Sequence, residues 1–161
     1  MKTISRLICT LIFSLFSFSA WSSANIEVSD AYARATFAMA TTGAVYMTLH
    51  NHSEGERTLK TVKVSESLAD EAQIHTTQMV ADMAKMREVK EGVKLPLHQS
   101  VEFVPGGHHI MLLGLKKPLI EGETISLTLI FDDNSSLNVE AMIRNESGET
   151  STNGHHDHSH H

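Results

Sequence analysis

The sequence predicts an all-β fold, a single domain built as an antiparallel sandwich. Three observations lead there. Short runs with alternating apolar residues recur along the chain. Turn-forming residues separate them every eight to twelve residues or so, a rhythm typical of sandwiches. Helical periodicity appears in one stretch only.

Each element can be justified in order. "IEVSDAYARA" alternates in polarity, and "AVYMTLHN" is rich in β-formers. "RTLKTVKVS" sets Leu59, Val62 and Val64 between charged residues. "HQSVEFVPGGHHIMLLGL" reads as two strands joined by Pro105-Gly106-Gly107. "ETISLTLIFDDNSSLNVEAMIR" reads as a hairpin turning across Asp132–Ser135, with Ile125, Leu127 and Leu129 on one face. The dissenting stretch is "DEAQIHTTQMVADMAKM". It lacks Gly and Pro, and Met79, Met83 and Met86 fall at i, i+4 and i+7, one face of a helix.

Both ends depart from this pattern. Residues 1–24 read as a secretory leader: Lys2 and Arg6 precede an apolar stretch from Leu7 to Phe18, with Ser22 and Ala24 before the cut. The stretch is too short and too broken by Ser and Thr to span a membrane, so no stable insertion is expected. Cys9 precedes most of the apolar stretch, which argues against a lipid anchor. Residues 145–161 contain no large apolar side chain and read as a disordered tail. That tail carries His155, His156, His158, His160 and His161, a composition suited to metal binding and in particular to Cu(II). The domain therefore spans 25–144. The net charge of -6 argues against nucleic acid or an anionic membrane as partner.

Eight methionines against one cysteine is an unusual ratio, and the cysteine lies in the leader. Methionine often only fills core gaps. Here it keeps company with histidine: His75 lies near Met79 and Met86, and His109 lies two residues before Met111. In a strand, His109 and Met111 share a face while His108 and Ile110 take the other. Imidazole with thioether, and no thiolate, suits copper and favours Cu(I). Thioethers also serve in an oxidising compartment where a cysteine would be lost. His50 and His52 share a face at a strand end and read as exposed polar residues, as does His98 in a turn. Met39 and Met47 fit core packing and lining of a copper site equally well.

The span "HTTQMVADMAKM…PGGHHIMLLGLKKPL" resembles the periplasmic copper chaperone family called PCu(A)C. The family pattern is a His, ten residues, a Met, about twenty-one residues, then His-x-Met. Here ten residues separate His75 from Met86, and twenty-two separate Met86 from His109, with Met111 completing the motif. The extra residue is assigned to the turn around "KEGVK". His108 would restore the usual spacing but is followed two residues later by Ile110, so His109 is preferred. Family members usually carry a Met where this chain has Thr77, while Met79 remains nearby as a lesser candidate ligand, as does His108. "VSDAYARAT" and "TGAVYMTLHN" extend the resemblance over most of the domain.

The resemblance implies a cupredoxin-like Greek-key β-sandwich, with "QIHTTQMVADMAKM" as strand–loop–strand rather than helix. It implies a Cu(I) site of His75, Met86, His109 and Met111. It also implies periplasmic delivery of copper to a respiratory oxidase subunit, in assembly of a cytochrome c oxidase copper centre, or to another copper chaperone. A periplasmic copper buffer or scavenger serving tolerance is the alternative within the binding class. Blue-copper electron transfer needs a Cys thiolate, which the domain lacks. Cleavage after Ala24 would leave Asn25 as the mature terminus, which would exclude a copper oxygenase using an N-terminal His. No spacing of catalytic groups marks a hydrolase, so the expectation is a binding protein and not an enzyme, with a copper-dependent enzyme the remaining alternative.

Overall fold

The computed structural model describes residues 25–145. The expected leader (1–24) and histidine tail lie outside the described residues, apart from Asn145. Ten strands form: β1 (Ile26–Arg34), β2 (Thr42–Asn51), β3 (Arg57–Val64), β4 (Glu71–Val80), β5 (Met83–Glu88), β6 (Val93–Leu95), β7 (Ser100–Phe103), β8 (His108–Leu113), β9 (Thr124–Phe131) and β10 (Ser136–Arg144). Among the described residues there is no helix, and so none long and apolar enough to cross a membrane.

Hydrogen bonding links the strands in the order β5-β4-β8-β7-β2-β1-β10-β9-β3-β6, with β8 also pairing β2. The pairs are antiparallel except β1–β10 and β7–β8. The ladder is continuous, yet β3 also contacts β4 and β2 contacts β6, partners far apart in that order. The sheet thus curls over itself into two layers. Phe103, Phe131, Met47, Leu49, Leu112 and Leu129 are fully buried in the core. Each such side chain contributes about 1.5–3 kcal/mol by leaving water.

The expected hairpin of β9 and β10 forms, and Ile125, Leu127 and Leu129 all point inward. The alternation of "IEVSDAYARA" is interrupted. A bulge falls between Ser29 and Tyr32, where Asp30 has φ 51°, a conformation aspartate tolerates. It reverses parity: Ile26 is buried before the bulge and Ala33 after it, which turns Tyr32 to the outer face.

The stretch with helical spacing is the β4–β5 hairpin. Ala81 and Asp82, with φ 48° and 61°, make its two-residue turn. A right-handed twist favours such positive-φ turns between paired strands. With no glycine to mark it, the turn was invisible to composition. The segment "KEGVK" is also a turn, closed by Gly92 N–H donating to the Val89 carbonyl. Gly92 has φ 83°, and a Cβ there would stand 2.4 Å from the Leu59 carbonyl oxygen, so only glycine fits.

The β9–β10 turn is tied to β3 by ion pairs from Arg57 to Asp132 and Asp133. Burial alone would raise the Asp133 pKa, but hydrogen bonds from Ser135 and Arg57 outweigh it and hold the carboxyl at about 2. A depressed carboxylate stabilises the fold above its unfolded value of 3.8 and loses that contribution as pH falls through about 2. Asp133→Ala should therefore lower the melting temperature at pH 6. The gap to wild type should narrow steadily in melts taken between pH 4 and pH 2.

Candidate metal centre

Strand alternation sorts β8 into two faces. Ile110 and Leu112 are fully buried in the core, while His109 and Met111 take the opposite, outer face. On β4, Ile74 is buried inward, so Gln73, His75 and Thr77 face outward. The two strands pair antiparallel with His75 directly opposite His109 and Gln73 opposite Met111. On the other side of β4, Met86 of β5 lies opposite Thr77 and Glu88 opposite His75. His75, Met86, His109 and Met111 therefore share one face of three neighbouring strands. Met79 is on that face too, nearer the hairpin tip and 69% exposed.

His108 is not. It shares the core-side face with Ile110, with its ring 5.7 Å from that of Phe103. That places it across the sheet from His75 and His109. Met47 is buried in the core on the opposite face, and Met39 is exposed in the β1–β2 loop. His50 bonds Ser100 Oγ (2.6 Å) and His52 bonds Glu27 (2.9 Å), both near the surface.

Register pairs depend on where β4 and β8 begin to pair. Asp70 N–H donates to the Leu113 carbonyl, one step before the Glu71–Leu113 pair. Gly114 follows with φ 65°, and a Cβ there would collide with the Asp70 carboxylate at 2.1 Å. A glycine at this position lets Asp70 close on β8 and hold the pairing in place.

The two imidazoles meet with ring centroids 5.8 Å apart. His109 is 3% exposed, and the Tyr46 ring lies 6.5 Å away on β2. Tyr46 in turn packs against Tyr32 with centroids 5.2 Å apart and rings tilted by 40°, the Arg34 guanidinium lying over Tyr46 and that of Arg144 over Tyr32. His109 Nδ1 is 3.1 Å from the Gly107 carbonyl oxygen, which can only accept, so Nδ1 carries the proton. Its Nε2 is buried with no hydrogen-bond partner. His75 Nε2 contacts Gln73 Oε1 at 2.9 Å, and its Nδ1 is likewise buried and unpartnered. Each orphaned nitrogen costs on the order of 1–3 kcal/mol if nothing binds it. Two such atoms on facing rings fit a metal ion better than a solvated surface. Nδ1 of His108 and Oγ1 of Thr77 are orphaned as well, the latter beside His75 on the shared face.

Among the described residues no three His, Cys, Asp or Glu side chains converge as a metal-binding group. The donor set that shares this face is two nitrogens and two thioethers. Such a set is soft and uncharged. Sequence reasoning missed Gln73 and the Gly107 carbonyl. Both lie two residues before a histidine of the site, the spacing that places a neighbour on the same strand face.

Residues 26–143 match the model of the LpqE-like family, described as "Putative lipoprotein LpqE-like". The chain belongs to the LpqE-like family. It is 35% identical over 123 residues to "Putative lipoprotein Lxx21020" of Leifsonia xyli subsp. xyli, covering 76% of this chain and 72% of that protein. Its fold is that of solved PCuAC domains, and the cupredoxin-like β architecture is shared with them. The apo PCuAC domain from PmoF1 superposes with TM-score 0.62 and 25% identity, covering 78% of this chain and 98% of that domain. The solution structure of CuI-DR1885 from Deinococcus radiodurans superposes with TM-score 0.58 and 29% identity, covering 80% and 83%.

Burial lowers the pKa of His75, helped by the neighbouring His109 and opposed by Glu88; burial likewise lowers that of His108. Both rings should therefore be neutral at a pH where exposed histidines are half protonated. An NMR titration of the metal-free protein should place both midpoints below the ordinary value near 6.5. The unfolded chain then binds protons more readily than the folded one, so stability should fall as pH drops below about 6.5.

Proposed function

We propose that this LpqE-like chain is an extracytoplasmic copper chaperone that holds one Cu(I) through His75, Met86, His109 and Met111. The observation that carries the reading is the pair of orphaned, buried imidazole nitrogens on the face that also bears two methionines. The likeness to a solved Cu(I) form of DR1885 supports it. Cu(I) is cargo here. Two neutral imidazoles and two neutral thioethers leave the ion's single positive charge in place, and no proton must be displaced from the sulfurs. Buried His109 and half-buried His75 hold one side of the ion. Met86 is 62% exposed, so the other side faces solvent, where a partner's soft ligand can enter and replace a thioether.

The recipient we propose is a respiratory oxidase copper centre in the periplasm, reached by export on the 1–24 leader. Loss of the gene should then lower oxidase copper loading at unchanged copper tolerance; lowered tolerance with normal oxidase would instead identify a buffer.

The ligand set is tested by Met86→Leu and Met111→Leu, which conserve volume and should change stability by less than about 1.5 kcal/mol. Each should weaken Cu(I) binding by roughly tenfold or more in competition with a chromogenic chelator. If both bind as wild type does, the thioethers are not ligands.

The histidine tail is proposed as a separate Cu(II) chelator that feeds the core site once the ion is reduced. A chain of seventeen residues without fixed structure would have a root-mean-square reach of about 23 Å, enough to raise the local copper concentration at the core. Removal of residues 145–161 should abolish one Cu(II) equivalent in calorimetry and leave Cu(I) binding by the core unchanged.

A further inference from the structure

His75 and His109 face each other with opposite nitrogens open. The backbone fixes His109: the Gly107 carbonyl accepts a hydrogen bond from Nδ1–H and leaves the Nε2 lone pair bare. Nothing in the backbone does this for His75. Its Nε2 instead meets the side-chain oxygen of Gln73 at 2.9 Å, and its Nδ1 is left buried and unpartnered. Gln73 is placed for this by the sheet. It lies two residues before His75, on the same outer face, and opposite Met111. A side-chain amide can present either its oxygen or its nitrogen, so the choice of tautomer at His75 is made by one rotatable group.

We propose that Gln73 is a positioning residue of the site: by accepting a hydrogen bond from Nε2–H it holds His75 in the tautomer whose Nδ1 is free. The metal then takes Nδ1 of His75 and Nε2 of His109, a mixed pair. This deepens the copper reading and rests on it. A ring held in the wrong tautomer would direct an N–H at the ion and would have to exchange its proton before binding. The apparent affinity falls by the fraction of protein in the competent form. Partners that orient a ligating histidine commonly change metal affinity by about 10- to 100-fold when removed.

The test uses Gln73→Leu, which removes the acceptor at similar volume, and Gln73→Glu, which keeps one. Long-range nitrogen–proton correlation spectra of the metal-free, full-length protein, taken near pH 8.5 where histidine is neutral, report the protonated nitrogen directly. Wild type and Gln73→Glu should show the His75 proton on Nε2, and Gln73→Leu should lose that preference. Cu(I) competition should show about tenfold weaker binding for Gln73→Leu and recovery to within about threefold of wild type for Gln73→Glu. A wild-type His75 protonated on Nδ1 overturns the proposal. So does a Gln73→Leu protein with unchanged tautomer, or with altered tautomer and unchanged affinity. Failure of wild type to bind Cu(I) would instead overturn the copper reading, and the tautomer measurement would still decide the role of Gln73 in orienting the ring.

Discussion

The register between β4 and β8 is the constraint on which the site depends. His75 and His109 are thirty-four positions apart in the chain and directly opposite each other in the sheet. A slip of one residue would carry His75 to the core face and bring Ile74 out. Burial opposes a slip of either strand, because Ile74 would exchange core for solvent if β4 moved, and Ile110 and Leu112 would if β8 did. The same apolar residues that stabilise the sandwich therefore set the distance between the two imidazoles. The Asp70–Gly114 contact secures one end of the pairing, where a larger residue than glycine would be expelled by the carboxylate.

Burial and exposure divide the site's work. His109 lies deep beside Tyr46 and His75 is half-buried against it, where burial lowers the His75 pKa. Met86 reaches toward solvent from the β4–β5 hairpin, while Met111 is half-buried within β8. Methionine tolerates that exposure because it carries no charge and no proton to lose. The proposed carrier role fits this arrangement: orphaned imidazole nitrogens within the sheet, and an accessible thioether on Met86.

The β4–β5 hairpin shows how a pattern can fit two periods. Met79, Met83 and Met86 are spaced for one helical face, yet in the hairpin Met79 and Met86 share the outer face while Met83, opposite Val80, takes the other. Periodicity alone did not separate these readings, because the turn at Ala81-Asp82 uses positive φ without the glycine that ordinarily announces it. The resemblance to copper chaperones favoured the strands, and the pairing bears that out. The bulge at Asp30 is a second case: the residues on either side alternate, but the reversal of parity that exposes Tyr32 to the outer face comes from one inserted backbone conformation.

The sequence by itself determined the all-β class, the β9–β10 hairpin, the Pro-Gly-Gly connection and the separation of His109 and Met111 from His108. All of these follow from period-two alternation and turn chemistry, which act between near neighbours in the chain. The four candidate ligands came from the resemblance to copper chaperones that its His/Met spacing carries. Only the tertiary structure decided that β4 pairs with β8 in the register that faces His75 with His109. It alone placed Met47 in the core and left Met39 in a loop, and it alone brought Gln73 and the Gly107 carbonyl onto the two rings. The reason is physical: which strand pairs with which is settled by burial summed over the whole sandwich, and the open nitrogen of each imidazole is settled by a hydrogen bond that exists only after the strands have met.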